Sequence, residues 1–328
     1  MKAMILAAGF GTRLLPLTAG KSKVALPLAG VPVLVRVLQT LRRLGVSDFI
    51  VNLHHAPDSV RRCLESAGET ARYSFEPQIL GTGGALFPVK EQFAGGTFLL
   101  VNGDCYYENP DLESALEFHR SRGALATLVL IDMPPGQKFR TVDLDQTGRI
   151  VRIAGRPEYP RTPVAAALHF PGIHILEPEF LEHIGPGFSD INSSVYPGLI
   201  ASGAPLYGYR TAFRWHDLGT PGRFFQAAGT LLEQSGRESG GSKLVGEGCR
   251  LSESCVLEGP LEIGEDSRLG PDCRVARSIL GREVVLEAGA LVEDSLVGDK
   301  VRLAAGSAYR HCVIAGEAGN ISVVRWED

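Results

Sequence analysis

The sequence predicts an α/β protein with two domains, a mostly parallel α/β sheet followed by a left-handed parallel β-helix. Two patterns support this prediction. Through the first 235 residues, apolar runs alternate with amphipathic helical patterns, which is typical of parallel βαβ units. Beyond residue 243, aliphatic residues recur about every six positions, which is typical of a β-helix whose coils stack to bury a core.

The elements of the first domain follow in chain order. The apolar run from Ala3 to Ala8 is bounded by glycine and predicts a buried first strand. Helix-spaced aliphatic residues predict a helix from Val33 that Gly45 ends, and Pro57 opens another. Similar patterns predict strands at residues 49–53, 73–75, 98–104 and 124–131, a hairpin at 141–145 and 149–153, and a helix at about 193–201.

The boundary between the domains is predicted from a Gly/Ser-rich stretch at residues 234–243. We therefore expect the first domain at residues 1–235, a linker at 236–242 and the β-helix with a C-terminal tail at 243–328. Cys249, Cys255 and Cys273 each follow an aliphatic position of the repeat by four residues. This spacing predicts that the three thiols pack inside the coils.

Composition excludes several classes of partner. The 328 residues carry a net charge of −4, so no basic field is present for a nucleic acid polymer. No segment is long and apolar enough to span a bilayer, and the first apolar run is shorter than the roughly 7–15 residues of a secretory signal. The six cysteines lack the C-x-x-C spacing of metal sites. We expect a cytoplasmic protein with reduced thiols and no membrane partner.

A glycine-rich loop follows the first strand. Gly9 and Gly11 can adopt positive φ and expose backbone N–H groups, which form an anion-binding concavity. Two cations follow, Arg13 and Lys23. The loop matches neither the dinucleotide fingerprint, because position 14 is Leu, nor the Walker motif, because no Gly-Lys-Ser/Thr closes it.

The longer string from Leu6 to Pro32, Leu-Ala-Ala-Gly-x-Gly-Thr-Arg-Leu-x-Pro-Leu-Thr followed by Lys23 and Leu-Pro-Leu-Ala-Gly-Val-Pro, resembles the signature of the sugar-1-phosphate nucleotidyltransferases. The resemblance implies a Rossmann-like catalytic domain that joins an NTP to a sugar 1-phosphate and releases pyrophosphate. It implies that Arg13 holds the leaving pyrophosphate and that Lys23 holds the α-phosphate. The nucleotide-binding residues that it implies are Leu6, Ala7, Ala8, Gly9, Gly11, Thr12, Glu76, Gly81, Thr82, Gly83 and Gly103.

Two aspartates match the metal ligands of this family. Asp104 follows the buried run Phe98–Val101 at the carboxyl end of a predicted strand, which is the functional edge of an open α/β sheet. Asp217 lies in Trp-His-Asp-Leu-Gly-Thr, which is similar to a second family motif. The resemblance implies that Asp104 and Asp217 bind Mg²⁺ as the cofactor, an ion that a few carboxylates and phosphate oxygens hold.

The sugar side of the predicted site departs from the family pattern. Gly-Arg-Pro with Arg156 replaces the usual Glu-Lys-Pro, and a guanidinium can bind phosphate in place of the ammonium. Phe-Pro-Gly with Gly172 replaces Asn-Ala-Gly, so one sugar hydrogen bond is absent. With Asn192, in a segment similar to the family's sugar pocket, these residues form the predicted sugar-phosphate site.

Several functional alternatives stay open at this point. The two-domain plan resembles mannose-1-phosphate guanylyltransferases, and the catalytic half also resembles N-acetylmuramate-1-phosphate uridylyltransferase; thymidylyl and heptose-specific guanylyl enzymes are further alternatives. A regulatory paralogue without activity would lose the signature cations or aspartates, which this chain keeps. A β-helix acyltransferase needs a His base, and the repeats contain His311 alone. We instead expect the β-helix to form a homo-oligomer, most simply a dimer.

Overall fold

A computed structural model describes residues 1–239, 241–317 and 320–326. Packing divides the chain into two compact units. Gly240 of the predicted linker and residues 318, 319, 327 and 328 of the predicted tail lie outside the described residues. The first unit comprises Met1–Gly9, Val35–Pro57 and Leu64–Trp215, and the second comprises Phe10–Leu34, Asp58–Cys63 and the chain from His216 onward. Packing thus groups the loop after the first strand with the C-terminal region, whereas the predicted boundaries follow chain order.

The helices predicted from Val33 and Pro57 begin at those residues, and the helix predicted at about 193–201 begins at Tyr196. The helices are α1 Val33–Arg43, α2 Pro57–Ser66, α3 Gly81–Gly84, α4 Leu112–Ser121, α5 Tyr196–Ala201 and α6 Pro221–Ser239. The Asp111 side chain caps α4 by accepting the Ser114 N–H at 3.2 Å, as polar side chains do at helix N-termini. Helix α6 continues to Ser239, so residues 236–239 of the predicted linker are helical, because each residue added to a formed helix contributes a hydrogen bond.

The strands up to residue 217 are β1 Lys2–Leu6, β2 Pro27–Leu28, β3 Val31–Pro32, β4 Asp48–Leu53, β5 Arg72–Phe75, β6 Phe98–Asn102, β7 Cys105–Glu108, β8 Ala126–Ile131, β9 Thr141–Leu144, β10 Ile150–Ile153, β11 Ala166–Leu176, β12 Leu206–Arg210 and β13 Arg214–Asp217. They alternate with α-helices from β3 to β6, whereas β8 to β11 follow one another without an α-helix between them. The hairpin β2–β3 is antiparallel. Strands β7 and β13 form a separate two-stranded sheet.

The first unit is built on one sheet with the order β10-β9-β11-β6-β1-β4-β5. Off this path, β8 pairs with both β11 and β12. Strands β6, β1, β4 and β5 pair in parallel, as the βαβ pattern predicts. The long strand β11 pairs antiparallel with β6, β8 and β9. The expected hairpin is confirmed as β9 and β10. Buried aliphatic and aromatic side chains from these strands form the core and fix the carboxyl end of β1 next to that of β6.

The second unit contains the predicted β-helix. Its strands are β14 Lys243–Val245, β15 Arg250–Leu251, β16 Val256–Glu258, β17 Leu261–Ile263, β18 Arg268–Leu269, β19 Arg274–Ala276, β20 Ile279–Leu280, β21 Val285–Leu286, β22 Leu291–Glu293, β23 Leu296–Val297, β24 Arg302–Leu303, β25 Ala308–Arg310, β26 Cys312–Glu317 and β27 Asn320–Arg325. They form three sheets, with the orders β14-β17-β20-β23-β26-β27, β15-β18-β21-β24 and β16-β19-β22-β25.

Each coil of the β-helix contributes one strand to each sheet. Leu261 pairs with Lys243, 18 residues earlier, whereas Ile279 pairs with Glu262, 17 residues earlier, so the coil shortens by one residue after the first. The aliphatic positions face inward, and Cys273 lies buried among them. Cys249 and Cys255 pack against the same core, which confirms the predicted placement of the three thiols. Within the described residues no helix could cross a membrane.

Candidate active site

The loop after β1 folds around Gly11; we call residues 10–25 the glycine loop. Gly11 has a φ of 65°, and a Cβ placed there would lie 3.1 Å from both Lys23 Cβ and Thr18 Cγ2. The Thr18 hydroxyl donates a hydrogen bond to the Gly11 carbonyl at 2.9 Å. A side chain at Gly11 would therefore be strained and would displace Lys23. Gly11 and Lys23, which the sequence predicts to bind phosphate, thus lie in contact.

Lys23 begins a short 3₁₀ turn, Lys23–Ala25, and is 6% exposed. The residue before it is held by a hydrogen bond from the Ser22 backbone N–H to Ser59 Oγ, at 2.9 Å. An ammonium on a loop that is fixed at both sides acts as a point charge in a defined position. The local fold therefore suits Lys23 to an anionic ligand.

Arg13 and Asp217 approach each other at Gly219. A Cβ on Gly219 would lie 2.8 Å from Asp217 Oδ1 and 3.0 Å from Arg13 Nη2, so only glycine leaves room for both groups. The Gly219 N–H donates to Asp217 Oδ1 at 2.8 Å, and the Arg223 guanidinium pairs with Asp217 Oδ2. Two guanidiniums beside one carboxylate leave a net positive charge, which favours an anionic ligand.

Gly219 and Arg223 are site residues that sequence reasoning missed. The signal was present, because Arg223 lies two residues after Pro221, the first residue of α6. Side chains in the first turn of a helix point toward the groups that precede it. An arginine there, after Asp217 in the same motif, is placed to reach back to that carboxylate.

The metal prediction can be tested against the donors of Asp217. Both carboxylate oxygens already accept from protein groups, Oδ1 from Gly219 and Oδ2 from Arg223. Asp104 lies directly before β7 and is partly exposed. Among the described residues, no group of three or more His, Cys, Asp or Glu side chains could hold a metal. The donors suit an ion such as Mg²⁺ that needs one or two carboxylates and completes its shell with phosphate oxygens, and Asp217 would exchange Arg223 for it.

The carboxyl ends of β1 and β6 form a tight junction in the first unit. The Gly103 N–H donates to the Leu6 carbonyl at 2.9 Å, and a Cβ on Gly103 would lie 2.8 Å from that oxygen. The Ala7 N–H donates to Asn52 Oδ1 at 2.6 Å. Ala7 and Ala8 are buried, whereas Gly9 is exposed. The close approach of the Leu6 carbonyl explains why a residue without a side chain is needed at Gly103.

Glu76 is buried, and its carboxylate is engaged by the protein. Asn52 Nδ2 donates to Oε1 at 2.7 Å, and the Leu80 N–H donates to Oε2 at 2.9 Å. With 1% exposure, this carboxylate links β4 to the start of α3, and its predicted role in nucleotide binding stays a prediction. Asn52, which sequence reasoning missed, therefore connects Glu76 to the backbone after β1.

The glycines of α3 are explained by packing within the first unit. The Gly83 and Gly84 N–H groups donate to the Ser189 carbonyl at 2.8 and 3.1 Å. A Cβ would lie 2.6 Å from that carbonyl at Gly81 and 2.1 Å from the Gly187 carbonyl at Gly84. The Thr82 hydroxyl accepts the Ile191 N–H at 2.9 Å. The glycines thus let another protein segment approach closely, and the predicted contact of Gly81, Thr82 and Gly83 with a nucleotide stays a prediction.

The predicted sugar-phosphate residues have different surroundings. Gly172 has a φ of 101°, and a Cβ there would lie 2.4 Å from Asn102 Nδ2, so Gly172 makes room for Asn102. The side-chain carbonyl oxygen of Asn192 is buried and has no hydrogen-bond partner among the described residues. Arg156 is exposed on a turn closed by two hydrogen bonds with the Ile153 backbone, each at 2.8 Å.

A buried tyrosine fixes the backbone beside Gly172. The Tyr107 hydroxyl lies 3.1 Å from the Asn102 carbonyl and 3.1 Å from the Pro171 carbonyl. Burial raises the pKa of Tyr107 well above its ordinary value, so the hydroxyl stays a neutral donor. The ends of β6 and the bend in β11 are therefore held together.

Comparisons with known proteins identify the family to which the chain belongs. A family model described as nucleotidyl transferase matches residues 2–234. The mannose-1-phosphate guanylyltransferase of Mycobacterium tuberculosis is 30% identical over 301 residues, covering 89% of this chain and 82% of that protein. The UTP–glucose-1-phosphate uridylyltransferase of Synechocystis is 29% identical over 336 residues, covering 94% and 85%.

Solved structures show the same fold. HddC from Yersinia pseudotuberculosis superposes with a TM-score of 0.60 at 20% identity, over 70% of this chain and 99% of that chain. At this identity the likeness concerns the fold of the catalytic part. Since the family model spans most of the chain and a relative at 30% identity covers most of both sequences, this protein belongs to the sugar-1-phosphate nucleotidyltransferases.

Proposed function

We propose that this enzyme is a mannose-1-phosphate guanylyltransferase, which forms GDP-mannose and pyrophosphate from GTP and mannose 1-phosphate. The observation that carries the chemistry is the cluster in the second unit, where Arg13 meets Asp217 at Gly219 and Lys23 packs on Gly11. The Mycobacterium tuberculosis relative supports the choice of substrates. The uridylyltransferase relative, with nearly equal identity, supports UTP and glucose 1-phosphate as the second candidate.

The residues supply charge rather than a base. A phosphate monoester has a second pKa near ~6, so the attacking sugar phosphate is largely a dianion at pH 7 and needs no deprotonation. The difficulty is the repulsion between two polyanions and the charge that develops in an in-line displacement. We assign Lys23 to the α-phosphate and Arg13 to the leaving pyrophosphate. The backbone around Gly9, Gly11 and Thr12 would bind the remaining phosphate oxygens.

Asp104 and Asp217 are the proposed ligands of Mg²⁺. The ion would neutralise phosphate charge when it is bound. Arg223 pairs with Asp217 Oδ2 and would contact a phosphate oxygen when the carboxylate holds the ion.

We propose that Asn192, Arg156 and Gly172 contact the sugar phosphate. The side-chain carbonyl oxygen of Asn192 is a buried acceptor without a partner among the described residues, and a sugar hydroxyl is the donor that it lacks. The exposed Arg156 can supply a cation to the sugar phosphate in place of the family's lysine. The backbone at Gly172, which packs against the Asn102 side chain, would contact the same ligand.

Pyrophosphate release across a matrix of NTPs and sugar 1-phosphates tests the assignment. We expect the highest kcat/KM for GTP with mannose 1-phosphate. If UTP with glucose 1-phosphate or N-acetylmuramate 1-phosphate were best, the uridylyl alternative would replace it. Turnover with no pair would favour a regulatory paralogue.

We also propose that the β-helix forms a homodimer. Strands β14, β15 and β16 lie at the ends of their sheets, and the first coil exposes Val245 and Val256. Open strand edges beside apolar surface can pair with another copy. Light scattering at micromolar concentration should give the mass of a dimer, and a monomer would refute the proposal. A cytoplasmic location is supported by the six free cysteines and is checked by cell fractionation.

A further inference from the structure

The turn after β23 lies against the glycine loop within the second unit. Leu17 Cδ2 lies 3.3 Å from the point where a Cβ on Gly298 would stand. At the next residue, Asp299 Oδ2 accepts a hydrogen bond from Lys21 Nζ at 2.5 Å. The β-helix therefore touches the glycine loop through one apolar contact and one ion pair.

Asp299 is held in position by the preceding coil. Its Oδ1 accepts the Arg282 backbone N–H at 3.1 Å. Gly281 provides the space, because a Cβ there would lie 2.4 Å from the same oxygen. A carboxylate that is already oriented loses little conformational entropy on pairing, so this ion pair should be stronger than a mobile surface pair.

Beside the ion pair lies a cavity of about 470 Å³, lined by residues of the glycine loop, α2, α6 and the β-helix. Its apolar lining includes Pro16, Leu26, Ile279 and Leu296. Side chains across such a space lose the van der Waals contacts that would hold them in place. The Lys21–Asp299 pair therefore restrains the glycine loop more than an ion pair on a close-packed surface would.

The restraint acts close to Lys23, the residue that we assign to the α-phosphate. Lys21 is two residues before Lys23, and the intervening Ser22 N–H is bound to Ser59 Oγ. Thr18, three residues before Lys21, holds the Gly11 carbonyl. The Lys21–Asp299 pair and the Ser22–Ser59 hydrogen bond together hold the segment that carries Lys23, and loss of the pair removes one of these restraints. Small displacements of such groups are costly, since about 1 Å can reduce turnover on the order of 100-fold.

We propose that Asp299 is a positioning residue for nucleotidyl transfer: through Lys21 it holds the glycine loop in the geometry that binds the triphosphate. The inference rests on the family's reaction and not on the choice of base or sugar. Loss of the ion pair should raise the KM for the NTP and leave the KM for the sugar 1-phosphate unchanged. A purely structural role would lower the melting temperature and the active fraction without this separation of the two KM values.

The test compares Asp299→Asn, Lys21→Gln and the double variant of the full chain. Asparagine keeps the shape and the acceptor for the Arg282 N–H while it removes the charge. Assays use the substrate pair that the wild type prefers, so a wrong choice of base or sugar does not affect them. We expect each single variant to raise the KM for the NTP about fivefold and the double variant to be no worse.

The matched control is Glu287→Gln, which removes the carboxylate of the Arg302–Glu287 ion pair on another sheet of the β-helix. It should leave both KM values unchanged. Additive losses, an unchanged KM in Asp299→Asn, or an equal loss in Glu287→Gln would each overturn the proposal. A lower KM in Asp299→Asn would also overturn it, because Lys21 would then bind the triphosphate directly. If Asp299→Asn proves unstable, Lys21→Gln, which removes the other charge of the same pair and is also partly exposed, still decides.

Discussion

At the scale of single residues, the glycine loop carries the positive charges of Arg13 and Lys23 next to glycines that have no side chain in the way of a phosphate. Arg13→Ala and Lys23→Ala should each lower kcat/KM by ~10²-fold or more, because positioned cations typically supply several kcal/mol to phosphoryl chemistry. Arg13 is exposed, so its loss should leave the melting temperature unchanged. Pyrophosphate release and thermal unfolding measure the two effects. Normal turnover in either variant would exclude the phosphate-binding assignment, and Lys23→Met separates lost charge from lost packing.

The two aspartates give a second prediction. Asp104→Asn and Asp217→Asn should each lower kcat by ~10²-fold or more and raise the Mg²⁺ concentration required for half-maximal rate, since metal and electrostatic stabilisation supply several kcal/mol. A titration of rate against Mg²⁺ checks this. Full activity in EDTA would refute the metal assignment. Asp299→Asn serves as a control, because it should alter the KM for the NTP and not the metal requirement.

The sequence predicted the grouping of those candidate site residues that lie close together along the chain. Gly11, Arg13 and Lys23 lie on one loop, so their proximity follows from a short stretch of chain. Glu76 is different, because its partners Asn52 and Leu80 come from another strand and from the helix start. Whether a carboxylate faces a ligand or the protein depends on such distant partners, which spacing along the chain does not reveal.

At the scale of elements, β11 and α5 are joined by a buried pair, His174 Nδ1 and the Tyr196 hydroxyl, at 2.7 Å. Burial lowers the pKa of His174 to about 3, from 6.5. Between these values the unfolded chain binds a proton that the folded protein does not, so stability falls as pH decreases below 6.5. The contribution of the neutral, buried His174 to the stability of the fold is fully present above pH 6.5.

We therefore expect His174→Gln to flatten the dependence of stability on pH. The wild type should lose about 2 kcal/mol more than the variant between pH 6.5 and pH 5, at ~1.4 kcal/mol per unit. Urea unfolding at several pH values measures the difference. His119, whose pKa burial also lowers, contributes equally to both proteins and cancels. Parallel curves for the two proteins would show that His174 is protonated in the fold.

The elements themselves were largely predictable, since their patterns are periodic. The buried strands, the hairpin β9–β10 and the β-helix all follow from hydrophobic spacing. The antiparallel half of the sheet could not be predicted from hydrophobic spacing, because β11 pairs with strands that are distant in sequence. The helical turn at Ile191–Val195, capped by Asp190, was predicted to begin at about 193, since the cap lies before the apolar pattern.

At the scale of the whole molecule, truncation after Gln234 tests what the β-helix contributes. We expect a folded catalytic sheet, because its core lies within the first unit, and a loss of the dimer. The segment Phe10–Leu34, which contains the glycine loop, would lose the contacts of Leu17 and Lys21 with the coils. It would also lose the contact of Gly30 with Leu244. The KM for the NTP should therefore rise further than in Asp299→Asn.

Circular dichroism, light scattering and pyrophosphate release on the truncated chain check these outcomes. A wild-type KM would show that the glycine loop needs no support from the coils. An unchanged oligomer would move the dimer contact to residues 1–234. An insoluble product would show that the domain boundary predicted at residue 235 is misplaced, and a longer truncated chain ending after Ser239, the last residue of α6, would then be compared.

Repeat number is usually free to drift in stacked proteins, because a duplicated or deleted coil keeps the aliphatic core in register. Here the ion pair with Lys21 removes that freedom. One coil before Asp299 the equivalent residue is Arg282, and one coil after it the residue is Gly316, each 17 positions away. Duplicating a coil would bring a second cation opposite Lys21, and deleting one would bring no side chain at all. Insertions and deletions in this β-helix should therefore be tolerated within corners but selected against as whole coils.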